Sequence, residues 1–80
     1  MSQELDRVIG VVCSIGKVQA LSPDQDFYEA GVSSISALSL LMELESEYQI
    51  SIPDDQFIAA RTPRALHALV TGLKQDQLRT

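Results

Sequence analysis

The sequence predicts an all-α domain of three main helices and one short helix, on three observations. Apolar residues recur at helical spacing in three separate segments. The only alternating stretch, Ile50-Ser51-Ile52-Pro53, is too short to make a sheet and finds no partner strand elsewhere in the chain. Ser, Thr and Asp stand where helices would begin. Eighty residues, 45% of them hydrophobic, supply one compact core, so residues 1–80 read as a single domain, ordered from about 4 to 75.

Leu5, Val8, Ile9, Val12 and Ile15 follow the i, i+3, i+4, i+7 rule, with Glu4, Asp6 and Arg7 on the other face. This first helix is amphipathic, and Gly16 reads as its end signal. Ser22-Pro23-Asp24 reads as a turn, because proline presets φ and the flanking Ser and Asp bond to nearby backbone. Residues 17–33 then make a loop that is long for so small a domain. Such loops are packed down by their own apolar residues, here Leu21, Phe27, Tyr28 and Val32, with Phe27 expected in the core.

The second helix is expected to begin at Ser33 or Ser34, where Gly31-Val32 supplies a flexible approach and a hydroxyl can cap the first free N–H groups. Its apolar side reads as Ile35, Leu38, Leu41, Met42, Glu45 and Tyr48, with Ala37 and Leu44 beside it. Glu43 and Glu47 face solvent, and the end falls near Tyr48-Gln49. After the extended connector, Asp54 is expected to cap a short helix through Phe57, Ile58 and Ala60. Thr62 and Pro63 then start the last helix as cap and first residue, with Leu66, Leu69, Val70 and Leu73 as its stripe. Residues from Gln75 on are expected to fray.

The net charge of −5 is distributed unevenly. Residues 18–60 hold eight acids (Asp24, Asp26, Glu29, Glu43, Glu45, Glu47, Asp54 and Asp55) and neither Lys nor Arg. All six basic residues lie outside that stretch. The middle repels nucleic acid and attracts basic protein surfaces, so it reads as a docking face rather than only a solubilising one. No apolar run approaches the roughly 20 residues that cross a bilayer. The polar start Met1-Ser2-Gln3-Glu4 lacks a signal-peptide pattern, so a cytoplasmic protein with no membrane partner is expected. The single Cys13 can form no internal disulfide and reads as a half-buried packing residue.

Catalytic and metal constellations are largely missing: one His, one Cys, no Gly-rich phosphate loop, no ligand cluster. A Ser34–His67 nucleophile pair is the one catalytic alternative, and it lacks an evident oxyanion site. No metal is expected.

The informative stretch is Asp26-Phe27-Tyr28-Glu29-Ala30-Gly31-Val32-Ser33-Ser34-Ile35-Ser36-Ala37-Leu38, followed by Leu41-Met42-Glu43-Leu44-Glu45-Ser46-Glu47-Tyr48 and Ile50-Ser51-Ile52-Pro53-Asp54. From residue 5 to about 74 the chain resembles the acyl and peptidyl (aminoacyl) carrier protein family. There, a Gly-x-Asp-Ser-Leu motif opens the second helix, an acidic helix ending in Leu-Glu-x-x-Phe/Tyr follows, and Ile-x-Ile-Pro-Asp leads to a short third helix. The resemblance implies a four-helix bundle of acyl-carrier type that is not itself an enzyme. It implies 4′-phosphopantetheine, added from coenzyme A by a phosphopantetheinyl transferase, on the motif serine, which is Ser34, with cargo held as a thioester. A helix N-terminus suits such a phosphodiester through its free N–H groups and partial positive charge.

Two departures stand out: Ser33 occupies the family's Asp position and Ile35 its Leu position. Carriers of amino acids or peptides accept Ser before the modified serine more readily, which leans the cargo towards an amino acid. The implied partners are the transferase, a loading ligase or adenylating enzyme, and downstream acyl- or peptidyl-transfer enzymes. They would meet a monomeric, stand-alone carrier through small salt-sensitive interfaces. The candidate partner-binding residues are Val32, Ser33, Ile35, Met42, Glu43, Glu47 and Ile58, with core packing as the competing reading for Val32, Ile35, Met42 and Ile58. The alternative function is an unmodified helical adaptor with the same fold.

Overall fold

The computed structural model describes residues 3–78. Four helices follow one another: α1 (Gln3–Gly16), α2 (Ser34–Tyr48), α3 (Asp54–Ala59) and α4 (Pro63–Leu78). No strand occurs among the described residues. α1 packs on both α2 and α4, and short α3 leans on α4. The core draws Val8 and Val12 from α1, Leu40 and Leu44 from α2, Phe57 from α3, and Leu66 and Val70 from α4.

The 17–33 loop contributes to the core as the helices do. Phe27 is fully buried and Val32 nearly so, and each such side chain stabilises by about 1.5–3 kcal/mol relative to exposure. Gly16 has a role other than the end signal read from the sequence. The left-handed residue that ends α1 is Lys17, at φ 59°, and its neighbour Val18 donates to the Cys13 carbonyl at 3.0 Å. Gly16 is needed because a Cβ there would lie 2.6 Å from Cγ2 of buried Val32.

α2 begins and ends where the sequence indicates, with Ser33 as N-cap and Gln49 in the left-handed C-cap conformation at φ 55°. Its buried face differs. Ala37, Leu40, Leu41 and Leu44 turn inward, whereas Ile35, Leu38 and Met42, read as part of the apolar side, are exposed. The helix is apolar over most of its circumference, so spacing alone leaves its rotation open. α1 and α4 choose the face that fits against them.

The connector stays extended, and side chains satisfy its backbone in place of a partner strand. Glu45 Oε2 accepts from Ile52 N at 2.9 Å. The Gln77 amide takes both groups of Ser51, accepting from N at 3.0 Å and donating to O at 2.9 Å. That double bond engages α4 beyond Gln75, where fraying was expected, and the helix continues to Leu78; residues 79–80 lie outside those described. Asp54 is not the cap of α3. Pro53 holds that position, its carbonyl accepting from Phe57 N at 3.0 Å, and Asp54 sits one place further in, where a carboxylate still favours the helix dipole. Thr62 caps α4 as expected, with Oγ1 accepting from Ala65 N at 3.1 Å.

Gly16→Ala should destabilise the fold by about 1–3 kcal/mol in urea denaturation, because Val32 must move to admit the methyl group. Gln49→Gly should stabilise it by about 1 kcal/mol by relieving left-handed strain. A Gly16→Ala midpoint equal to wild type would refute the close-packing role.

Candidate functional site

Ser34 is the first residue of α2 and is exposed. The two neighbouring hydroxyls are engaged with one another: Ser36 N donates to Ser33 Oγ at 3.1 Å, and Ser33 Oγ donates to Ser36 Oγ at 3.1 Å. Ala37 N is bonded to the Ser33 carbonyl at 2.8 Å. That leaves the N–H groups of Ser34 and Ile35 as the orphan donors of the first turn, beside a free Ser34 hydroxyl. Ser34 sits on the rim of a groove of about 520 Å³ between α2 and α3. Buried Ala37, Leu41 and Phe57 line it together with Leu38, Ile58, Tyr28, Asp54 and Arg61.

The groove and Ser34 are held in place by a lacing of the 17–33 loop onto the start of α4. Asp26 is its hub. Oδ1 accepts from Tyr28 N at 2.9 Å and Glu29 N at 3.2 Å, and Oδ2 takes Arg61 Nε at 2.7 Å. Phe27 N donates to the Arg61 carbonyl at 3.0 Å, and the Arg61 guanidinium lies 4.8 Å from the Tyr28 ring centroid. Arg64 adds a second tie, through its N–H to the Pro23 carbonyl at 2.9 Å and its guanidinium to Asp24 at 2.8 Å. The hydrogen bond from Arg61 holds the Asp26 carboxyl below the usual aspartate range, and Arg64 does the same for Asp24. Gly31, at φ 125°, gives the backbone the turn that leads from this laced loop into α2.

His67 stands apart from Ser34. It lines a separate cleft with Glu4, Tyr48 and Lys74, 3.5 Å from Thr71 Oγ1 and 3.9 Å from Glu4 Oε2, so the Ser34–His67 pairing weighed from sequence does not form. Cys13 is partly buried, as expected. Among the described residues no group of His, Cys, Asp and Glu could hold a metal, and no helix is long and apolar enough to cross a membrane.

Residues 6–70 match the family described as the phosphopantetheine attachment site. The chain belongs to this carrier protein family. It is 40% identical over 53 residues to the mitochondrial acyl carrier protein of Dictyostelium discoideum, covering 64% of this chain and 44% of that one. It is 38% identical over 78 residues to polyketide synthase 2 of Metarhizium acridum, covering 95% of this chain and 4% of that one. The chain therefore spans less than half the length of these curated relatives. The hexanoyl acyl carrier protein of the actinorhodin polyketide synthase of Streptomyces coelicolor superposes with a TM-score of 0.74 at 30% identity, over 95% of this chain and 92% of that one. A carrier with docking domains from the Pax nonribosomal peptide synthetase shares the fold at a TM-score of 0.85 and 17% identity, over 96% and 74%.

The cofactor of this carrier family is 4′-phosphopantetheine. The carrier's first turn of α2 fits such a group, with a free hydroxyl, two orphan N–H donors and a neighbouring groove. Of the surface residues named from sequence, Ile35, Met42 and Ile58 are exposed by 82%, 63% and 62%, which removes the core-packing reading of all three. Val32 must be corrected. It is only 4% exposed and packs against Gly16, so it offers no surface to a partner. Leu38, 60% exposed, takes its place on the same face as Ile35 and Met42. The i, i+3, i+7 spacing of those three was visible in the sequence, but nothing there distinguished an outward stripe from an inward one. Arg61 and Tyr28 reach the groove only through the loop lacing, and no local pattern signals them.

The acidic segment is also changed by folding. Asp24, Asp26 and Glu47 are paired with Arg64, Arg61 and Arg7, all from the basic flanks, and Glu45 is bonded to the connector. Glu43 remains exposed on the α1 side of α2.

Because the Asp26 and Asp24 carboxyls titrate lower in the folded state than in the unfolded chain, their pairs stabilise above the unfolded value and lose that effect as pH falls through the folded one. The thermal midpoint should therefore drop as pH goes below about 3.9, and Asp26→Asn should make that drop shallower. An identical acid limb in Asp26→Asn would remove Asp26 from the account.

Proposed function

We propose that Ser34 is the attachment point of 4′-phosphopantetheine and that the chain works as a separate carrier of acyl, aminoacyl or peptidyl cargo. One observation carries this reading: of Ser33, Ser34 and Ser36, Ser34 alone has a hydroxyl with no partner among the described residues, exposed at the first residue of α2 and on the rim of the groove. When bound, the group supplies a terminal thiol on which cargo is held as a thioester. Ser34 Oγ attacks the coenzyme A pyrophosphate and loses its proton to a base of the transferase. The new bond is Oγ–P, and adenosine 3′,5′-bisphosphate departs. The orphan N–H groups of Ser34 and Ile35 then favour the attached phosphodiester.

Residues 3–78 close one core of their own, which separate operation requires and which a carrier domain of a larger synthase shares. An amino-acid cargo is favoured by Ser33, which keeps the capping bond of the family's Asp without its charge. The partners are a phosphopantetheinyl transferase, a loading ligase or adenylating enzyme, and transfer enzymes downstream. They would dock on the apolar ridge Ile35, Met42 and Ile58, extended by Leu38, with Ser33, Glu43 and the Arg7-paired Glu47 at its margin.

The test is intact-mass measurement after incubation with coenzyme A, magnesium and a broad-specificity phosphopantetheinyl transferase. Wild type should gain one phosphopantetheine, Ser34→Ala none, and Ser33→Ala and Ser36→Ala should keep the gain. No gain in wild type would favour the adaptor reading, and a gain retained in Ser34→Ala would move the site.

A further inference from the structure

Residues 26–32 deliver the chain to Ser34, and their backbone is wound into overlapping turns. Ala30 N donates to the Asp26 carbonyl at 3.1 Å, Gly31 N to that of Tyr28 at 3.2 Å, and Val32 N to that of Phe27 at 3.0 Å. Arg61, in the junction between α3 and α4, grips this unit twice. Its carbonyl accepts from Phe27 N at 3.0 Å, and its Nε–H donates to Asp26 Oδ2 at 2.7 Å. Asp26 Oδ1 meanwhile accepts from Tyr28 N and Glu29 N, so one carboxylate joins the Arg61 grip to the turns. A relay of hydrogen bonds thus runs from Arg61 through Phe27 to Val32, two residues before Ser34. Phe27 and Val32 are both buried, so a displacement at Arg61 passes along the relay rather than being absorbed by slack packing.

Modification of Ser34 is sensitive to such a displacement. In that step Oγ bonds to the coenzyme A phosphorus, its proton passes to the transferase and adenosine 3′,5′-bisphosphate leaves. Misplacing an attacking atom by about 1 Å costs on the order of 100-fold in rate. The ridge residues Leu38 and Met42 stand on turns of α2 that Leu40, Leu41 and Leu44 seat in the core, whereas Ser34, the first residue, is also placed by the chain that enters the helix. Resting on the reading that Ser34 carries the arm, we infer that Asp26 and Arg61 are positioning residues for its modification. They act as one unit that sets Ser34 Oγ for attack and leaves docking on the transferase to the α2 ridge. Neither touches the reacting atoms.

The test is single-turnover modification of the full chain with coenzyme A, magnesium and excess broad-specificity phosphopantetheinyl transferase, read by intact mass. Varying the transferase separates the maximal rate from the half-saturating concentration. Arg61→Met should lower the maximal rate about tenfold and leave the half-saturating concentration within about twofold of wild type. Asp26→Asn should do nearly the same, because its one remaining oxygen still serves Tyr28 N and Glu29 N while its NH2 faces the Arg61 donor. The double variant should be no slower than the slower single one, as two residues acting through one contact require. Arg61→Lys keeps a charged donor for Asp26 and should recover part of the rate; with Asp26→Asn it carries the test should Arg61→Met fail to fold. Arg64→Met cuts the neighbouring tie to Asp24 and should leave the maximal rate at the wild-type value. A maximal rate unchanged in Asp26→Asn and the Arg61 variants, effects that add in the double variant, an equal loss in Arg64→Met, or a change confined to the half-saturating concentration overturns the inference and leaves the attachment at Ser34 standing. Absence of any mass gain in wild type overturns both.

Discussion

The 17–33 loop has no regular structure to hold it, and every feature of the candidate site depends on how it is nevertheless held. Phe27 is sunk in the core, and its own backbone and that of Pro23 are tied to the start of α4 by Arg61 and Arg64. The individual ion pairs are exposed and each contributes little. They act together with two backbone hydrogen bonds, a ring–cation contact and a buried aromatic side chain, so the loop arrives at Ser33 in a defined direction. From there the cap at Ser33 starts α2 and places Ser34 on the groove. The proposed attachment point, Ser34, is thereby exposed but not wandering, because Val32 just before the helix is buried.

The same contacts reshape the electrostatics. Read along the chain, the acids form a block flanked by bases; in three dimensions the flanking arginines fold back and neutralise part of that block. The ridge that remains around Ser34 is largely apolar, from Ile35, Leu38, Met42 and Ile58, with Glu43 to one side. Exposed apolar residues grouped in this way mark a contact surface. An association through them rests more on shape and apolar burial, and less on charge, than the linear count of acids suggests.

Much of the fold was legible because it depends on short-range chemistry. The α1 stripe, the Ser33 and Thr62 caps, Pro63 at the first position of α4 and the burial of Phe27 all follow from local spacing or from a residue's own conformational preference. Misreadings arose where several local solutions were equal. α2 has apolar residues on both faces, Val32 follows a glycine in a segment with no period, and Pro53 and Asp54 can each begin α3. The place of Ser34 at the start of α2 was legible from the cap, whereas its freedom from the Ser33–Ser36 pair was not.

By itself the sequence determined the helix count, both ends of α2, the start of α4 and the serine at the start of α2, since capping and periodicity act within a few residues and need no distant partner. Tertiary structure alone decided which side of α2 faces outward, which acids are paired, and that Arg61 lines the same groove as Ser34. Those outcomes depend on contacts between segments remote in the chain, such as Asp26 with Arg61 and Gly16 with Val32, and no local pattern encodes the packing that brings them together.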